Sequence, residues 1–336
     1  MNKLHFSWIW LSFLLIIFSA TCIYFYLQKN TFTTYPVASL ASPFLFPEEE
    51  PPASDTISLV FAGDIMLDRD IRLKATKNGY DYLLGPNISA LLKKADYSIA
   101  NLEGPVTNSQ SISVGSEVGS TKNYIFTFAP ESALFLASKG ISIVNLGNNH
   151  ILNFGAEGLA ATYDYLDQAG VKYFGYTGAE QPADKFIFKT KDNYSIGFVN
   201  YNQFIWNGEE QAFADIAALR PDVDYLVLYA HWGNEYLPEN QVLINLAHKF
   251  VDLGADTVIG SHPHIITGNE MYKDKPLYYS IGNFIFDQYF EDAVRKGLVL
   301  ELMIESNTST TTVIEHQVYL DPKGFTELIE PKVTSF

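Results

Sequence analysis

The chain has 336 residues, 47% of them hydrophobic, and its 38 acidic against 22 basic side chains leave a formal charge of −16. That length and apolar share supply a core for one large or two ordinary domains and exclude a disordered chain. The charge excludes nucleic acid as a partner, because phosphate backbones are bound through Lys and Arg. A single cysteine, Cys22, excludes an intrachain disulfide framework and a cysteine-built zinc site.

From Phe6 to Leu27 no residue is charged. At about 1.5 Å per residue this stretch crosses a hydrocarbon core about 30 Å thick, so it predicts a transmembrane helix. It ends in the bulky run Ile23–Leu27 rather than in small cleavage-site residues, which favours an uncleaved single-pass anchor over residues 1–28. Lys3 before it and Lys29 after it give little orientation. Cys22 reads as a buried thiol of this segment, with lipid attachment as the alternative. Residues 29–54 carry Pro43, Pro47, Pro51 and Pro52 and predict a stalk without regular structure.

The main domain is expected over 55–322, with 323–336 as a frayed tail. From Thr56 onward strand-like runs alternate with helical patterns, the signature of a layered α/β domain. Helices are expected at Asn87–Ala95, Glu131–Lys139, Ala156–Ala169, Glu209–Leu219 and Glu239–Leu253, the third and fifth stopping at Gly170 and Gly254. The segment Thr107–Thr121 holds five Ser and two Gly and predicts a polar loop beside Glu103, either a lid or an insertion. After Gly282 two strands are expected, Gly297–Ile304 and Thr311–Tyr319, around the turn Ser306–Ser309.

Five apolar runs with strand character stop at residues able to hold a metal. Ile57–Ala62 runs into Gly63-Asp64, Tyr97–Ala100 into Asn101-Leu102-Glu103, and Ile141–Val144 into Asn145-Leu146-Gly147-Asn148-Asn149-His150. Tyr225–Ala230 runs into His231-Trp232-Gly233 and Thr257–Gly260 into Ser261-His262-Pro263-His264. In an open α/β sheet, ligands gather outside the carboxyl ends of the strands, so these endings are expected to converge on one rim. Asp, Glu, Asn and His form a mixed oxygen and nitrogen shell suited to Zn²⁺, Mn²⁺ or Fe²⁺. Singly, Asp64 also reads as a turn residue and Glu103 as a solvated strand end. The histidines carry more weight: three of the seven directly follow strands, and Pro263 is expected to hold His262 and His264 extended, with both rings on one side. Asn149 offers an amide oxygen to a hard cation and leaves His150 free to donate a proton. His5, His248 and His316 read as structural or surface residues.

These stretches, with Gly63-Asp64-Ile65-Met66-Leu67-Asp68-Arg69, Asn101-Leu102-Glu103-Gly104-Pro105, Asn148-Asn149-His150, Gly260-Ser261-His262-Pro263-His264 and Tyr279-Ser280-Ile281-Gly282-Asn283-Phe284-Ile285-Phe286-Asp287, resemble the CapA family of poly-γ-glutamate capsule synthesis proteins. That family is a branch of the calcineurin-like metallophosphoesterases, and the resemblance runs from about Ile57 to Leu302. It implies a four-layer α/β/β/α sandwich of the metallophosphoesterase type, preceded by the transmembrane helix, with the main domain outside the cytoplasmic membrane. It further implies one or two divalent metal ions (Mn, Zn or Fe) held by Asp64, Glu103, Asn149, His231, His262 and His264, with His150 as general acid.

Two departures stand out. Where the superfamily carries a His two residues after the first Asp, this chain has Met66, a poor ligand for a hard metal, which implies a weak second site or a mononuclear centre. Asn153 stands where related sequences carry an Asp behind the His150 position, so a negative charge behind that ring is absent. Arg69 is expected to pair with a substrate carboxylate or phosphate, or to form an ion pair of its own. Trp232 is placed against the cleft, with core packing as the alternative, and Glu235 is a further substrate-side residue.

The expected function is a membrane-anchored part in making, exporting or tethering a poly-γ-glutamate-like polymer. Polymer synthase subunits are its expected partners, and an anionic polymer or phosphoester its substrate. The alternatives are a metal-dependent phosphoesterase unrelated to glutamate polymers and a non-catalytic scaffold subunit of a membrane synthase.

Overall fold

Strand-like runs of alternating burial and helices with one apolar stripe can satisfy themselves only by stacking in layers. The computed structural model describes residues 56–175, 187–189 and 193–329. The expected anchor over 1–28 and the stalk over 29–54 lie outside them, and among the described residues no helix is long and apolar enough to cross a membrane.

The described chain runs β1 (Thr56–Ile65), α1 (Arg69–Asn78), α2 (Pro86–Lys94), β2 (Tyr97–Leu102), α3 (Glu131–Lys139), β3 (Ile143–Asn145), α4 (Gly155–Ala169) and β4 (Lys172–Phe174). It continues through β5 (Ile187–Lys189), β6 (Ser195–Asn202), α5 (Gly208–Leu219), β7 (Tyr225–His231), α6 (Gln241–Leu253) and β8 (Thr257–Ser261). The last strands are β9 (Asn269–Tyr272), β10 (Lys275–Tyr278), β11 (Asn283–Ile285), β12 (Lys296–Glu305), β13 (Thr310–Asp321) and β14 (Phe325–Leu328).

Two mixed sheets form, one ordered β14-β13-β12-β1-β2-β3-β4 with β11 also on β1, the other β5-β6-β7-β8-β10-β9. The strands β1 to β4 are parallel, as are β6, β7, β8 and β10. Three apolar clusters follow from strand alternation. Leu59 and Phe61 of β1 join Ile99, Phe198, Tyr229 and Ile259 in a core shared by both sheets. Val60 and Ala62 face the opposite way, to a cluster with Ile71, Ile88, Leu136 and Leu159 of α1 to α4. On the far side of the second sheet, Leu226 and Leu228 pack on Ile216 of α5 and on Phe250 of α6.

Helix α6 illustrates the local code. The Asn240 side chain accepts from the amides of Val242 and Leu243, capping the start, and Leu243, Leu246, Ala247, Phe250 and Val251 bury one stripe. The expected helices all form, within two residues at their starts. Helix α1 was not anticipated, because its sequence is polar and only Ile71 and Ala75 are buried. The chain end also differs from expectation: Phe325–Leu328 is not part of a frayed tail but the edge strand β14, paired with Val318–Asp321. Thr326 anchors it, buried and with its hydroxyl donating to Phe284 O at 2.6 Å.

Candidate metal centre

The carboxyl ends of β1, β2, β3, β7 and β8 build the site. In the first sheet Asp64 stands in register with Asn101 and with Asn283, and Asn101 with Asn145. In the second, His231 is flanked in register by Asn202 and Ser261. Two positions earlier, Ile99, Ile143, Tyr229 and Ile259 all belong to the core between the sheets. The period of two therefore sets Asn101, Asn145, His231 and Ser261 on the same face, over the end of that core.

Asp64 reaches this face by an irregularity. Alternation from Phe61 would turn it toward the helices, but Phe61 pairs with Ile99 and Asp64 with Asn101, so β1 carries one extra residue, which reverses the side. Gly63 lies in that bulge, where a Cβ would sit 1.8 Å from Gly282 O. Only glycine allows this approach.

A ladder of amides then fixes the carboxylate. Asn145 Nδ2 donates to Asn101 Oδ1 (2.9 Å) and Asn101 Nδ2 to Asp64 Oδ1 (2.8 Å). Asn148 Nδ2 donates to Asn101 Oδ1 (3.1 Å) and to Leu102 O (2.8 Å), tethering the loop that presents Asn149 and His150. The backbone N–H of His262 donates to Asp64 Oδ2 at 3.1 Å.

The His262-Pro263-His264 turn departs from the expected extended form. His262 has φ 94° and His264 φ 59°, conformations that cost a non-glycine residue about 1–3 kcal/mol each and that concentrate at functional sites. The bond from His262 to Asp64 and that from Tyr236 N to Pro263 O (2.8 Å) hold the turn. The two rings still converge, their centroids 5.9 Å apart.

Glu103 is fully buried, and neither of its carboxylate oxygens has a hydrogen-bond partner. Nε2 of His264 and Nε2 of His150 each lie 3.8 Å from its Oε1. Ligand atoms of Glu103, His262 and His264 lie within 4.8 Å of one another. Nδ1 of His262 is likewise buried without a partner. A separation of 3.8 Å is too long for a hydrogen bond and shorter than twice a metal–ligand bond of about 2.1 Å. Orphaned oxygen and nitrogen atoms at this spacing fit a divalent cation.

The neighbouring groups orient these candidate ligands. His264 Nδ1–H donates to Asn283 Oδ1 (2.9 Å), whose Nδ2 donates to Val294 O (3.0 Å), so His264 Nε2 is left to face Glu103. His231 Nδ1 lies 3.0 Å from Ser261 Oγ, and its Nε2 lies 2.9 Å from Asn149 Oδ1. In the tautomer that donates to Ser261, the Nε2 lone pair stands beside the Asn149 oxygen, a pairing that suits a cation. His150 Nδ1–H donates to Asn153 Oδ1 (3.1 Å), so Asn153 keeps a hydrogen bond behind the ring although it carries no charge.

Burial sets the protonation of the site. It pushes Asp64 up to about 7 against the lowering effect of its hydrogen bonds from Asn101 and His262. It also raises Glu103 well above the usual carboxylate range, helped by the charge of Asp64. Desolvation pulls His150 and His262 down to about 4, His264 to about 3, and His231 well below the usual imidazole range. The rings are neutral at neutral pH, the form that binds metal.

The structure brings Asp64, Glu103, Asn149, His150, His231, His262 and His264 together. Arg69, the first residue of α1, stands at the edge: it pairs with the Asp287 carboxylate, and its guanidinium carbon lies 5.1 Å from the Phe126 ring centre and 5.4 Å from that of Phe286. Glu235 is exposed, and its charge contributes to the raised pKa of Glu103. Trp232 does not line the cleft. It is 0% exposed, packs with Tyr201, Phe250 and Tyr279, and donates from Nε1 to Tyr279 O (2.8 Å), because the residue after His231 points to the helix side of the sheet. Met66 is turned the same way, into the core under α1 to α4, where its sulfur accepts the Asp68 N–H.

Asn101, Ser261 and Asn283 escaped the sequence reading as functional residues. Ser261 ends β8, Asn283 begins β11 and Asn101 is one residue short of the end of β2, and each touches a candidate ligand, Ser261 at His231, Asn283 at His264 and Asn101 at Asp64. Phe204 was missed too; its ring lies 4.5 Å from that of His262.

A model of the bacterial capsule synthesis protein family PGA_cap matches residues 58–288, a span that holds every residue of this cluster. The capsule biosynthesis protein CapA of Bacillus anthracis is 25% identical over 285 residues, which cover 78% of this chain and 67% of that protein. The PGA biosynthesis protein CapA of Bacillus subtilis (strain 168) is 26% identical over 252 residues, covering 70% of this chain and 65% of its own length. A probable polyglutamine synthesis accessory protein of Mycobacterium tuberculosis is 24% identical over 221 residues, or 57% of this chain and 56% of that protein. The chain thus spans about two thirds of the two CapA proteins it matches.

Proposed function

The chain belongs to the bacterial capsule synthesis protein family PGA_cap, and on that premise we propose that it serves poly-γ-glutamate capsule biosynthesis through a metal-dependent hydrolase-like site. The two facing sheets, with helices packed on both, support a four-layer fold of the metallophosphoesterase type. The observation that carries the reading is the buried carboxylate of Glu103, without a hydrogen-bond partner and 3.8 Å from His264 Nε2.

Asp64, Glu103, Asn149, His231, His262 and His264 would hold one or two divalent ions. A bound ion would polarise a carbonyl or phosphoryl oxygen and lower the pKa of a bound water. The residues of the chain do the rest. The amide ladder from Asn145 through Asn101 holds Asp64 in one orientation. Asn153 fixes the His150 tautomer, so that Nε2 faces the cluster. That ring is neutral in the free protein and becomes a proton donor once an anionic substrate favours its charged form. With Met66 turned into the core, no side chain from that position reaches the cluster beside Asp64, which supports a weaker second position or a mononuclear centre. A single-pass anchor at Phe6–Leu27 and an extracytoplasmic domain belong to the same proposal, supported by the uncharged run alone.

The test is the metal content of the full chain in detergent, beside His231→Ala and His262→Ala. One or two transition-metal ions per chain, lost in both variants, support the reading. Metal below one ion per chain, unchanged by either substitution and after reconstitution, overturns it and favours a scaffold subunit of a synthase complex. Turnover of a simple aryl phosphate, abolished in His150→Ala, would instead favour a phosphoesterase.

A further inference from the structure

A cavity of about 290 Å³ opens beside the metal cluster, and none of the groups discussed above fills it. Arg69 lines it together with the polar loop after Glu103, through Ser113, Ser116 and Val118, and Tyr124, Tyr236 and Phe290 complete the lining. It shares neighbours with the cluster. Phe126 and Phe286, which sandwich Arg69, lie 4.4 Å from the His150 ring and 4.7 Å from the His264 ring. Tyr236 lies 6.2 Å from His264 and meets Phe290 edge-on at 5.2 Å.

The lining limits what enters. Its volume is at the small end for ligand sites, which begin near about 300 Å³, so it holds a short piece of a chain rather than a folded partner. Tyr124, Tyr236 and Phe290 are 46%, 37% and 60% exposed, an unusual outlay of aromatic surface on a chain of charge −16. Arg69 is the only cation in the lining, while Asp70 and Asp287 are both present. Asp287 takes Nη2 of Arg69 and the Nε of Arg69 is buried, so the donor left for a ligand is Nη1, whose bond to Asn123 Oδ1 is long at 3.4 Å. One cation with a single weakly held donor beside two carboxylates has room for at most one isolated carboxylate and disfavours a densely charged phosphate group.

We propose that this cavity is a substrate subsite that holds a non-reacting segment of an acidic, amide-linked chain, with Arg69 binding one carboxylate and the aromatic rings covering the uncharged stretch next to it. The Ser-rich loop is then the specificity wall of the site. The inference rests on the capsule-polymer reading and adds where the chain lies and what selects it.

Binding of a short γ-linked glutamate oligomer to the full chain in detergent tests it, with the same oligomer bearing carboxamides in place of carboxylates as control. Phe290→Ala is expected to weaken the oligomer about threefold to tenfold. Val118→Lys, on a side chain 91% exposed, is expected to tighten it about threefold in a salt-sensitive way, a gain that misfolding cannot produce. Absence of saturable binding, equal binding of the carboxamide form, or indifference to both substitutions overturns the inference. Metal content is read on the same samples. Oligomer binding without bound metal would sink the hydrolase reading and keep the subsite, whereas full metal content without oligomer binding would do the reverse.

Discussion

Glu103 and His264 face each other across 3.8 Å inside the protein, a carboxylate oxygen and a ring nitrogen with no proton shared between them. Burying a carboxylate without a partner costs several kcal/mol. A site that keeps one is organised for an occupant rather than for stability.

Glu103→Gln separates the two. Metal content is expected to fall below one ion per chain, because the amide offers a weaker, neutral donor. The metal-free protein is expected to stay within about 2 kcal/mol of the unaltered chain, since burial already favours the neutral carboxyl of Glu103 there and the amide replaces it with an uncharged group of the same shape. Denaturant unfolding of the metal-free form measures this; a clear loss of stability would mean that Glu103 has a structural partner.

Asn283 is the support of His264. Asn283→Ala removes the acceptor for Nδ1–H and frees the ring to turn, so metal affinity is expected to drop about 10–100-fold. Asn283→Asp, which keeps the acceptor, should retain most of the affinity. Competition with a chelator reads both, and equal losses in the two variants would show that the contact does not act through orientation.

Trp232 tests the assignment to the core. Trp232→Ala is expected to cost about 3–5 kcal/mol, and Trp232→Phe about 1–3 kcal/mol through the unpaired Tyr279 carbonyl. Metal content per folded molecule should stay as in the unaltered chain. Loss of metal from folded Trp232→Phe protein would return the residue to the cleft.

The metal-free protein should lose stability on acidification from pH 6.5 to 4. The unfolded chain protonates its imidazoles near about 6.5, whereas His150 and His262 resist to about 4, His264 to about 3, and His231 is lowered as well. The unfolded state therefore binds more protons at these four rings in that window, and their contribution to stability is lost as the pH falls. Asp64, raised to about 7, and Glu103, also raised, act oppositely, because the folded state holds their protons while the unfolded chain releases them near about 4. Four rings outnumber two carboxylates. Thermal unfolding of chelated protein at pH 4.5 and 6.5 decides it, and a higher midpoint at 4.5 would contradict the assignment.

Much of the centre was legible because its elements are local. A run of alternating or continuous apolar residues ending in Asp, Glu, Asn or His defines a strand and its polar end without reference to the rest of the chain, and β2, β7 and β8 stop within two residues of where those runs stop. The apolar stripe and the Asn240 cap of α6 are local in the same sense. Helix α1 lacked such a stripe, and β14 forms only because Val318–Asp321 offers it a partner.

The amino-acid sequence by itself determined which residues could bind a cation and at which strand ends they stand. Tertiary structure alone decided which way they face. The bulge at Gly63 that turns Asp64 inward lies where β11 passes against β1, and the turn with positive φ at His262 and His264 lies where Asp64 accepts the His262 amide. Trp232, one residue from His231, lies in the opposite core because adjacent strand residues point to opposite faces of a sheet that is covered on both. Side-chain direction at a strand end depends on register with neighbours distant in sequence, and that register is set only when the sheets assemble.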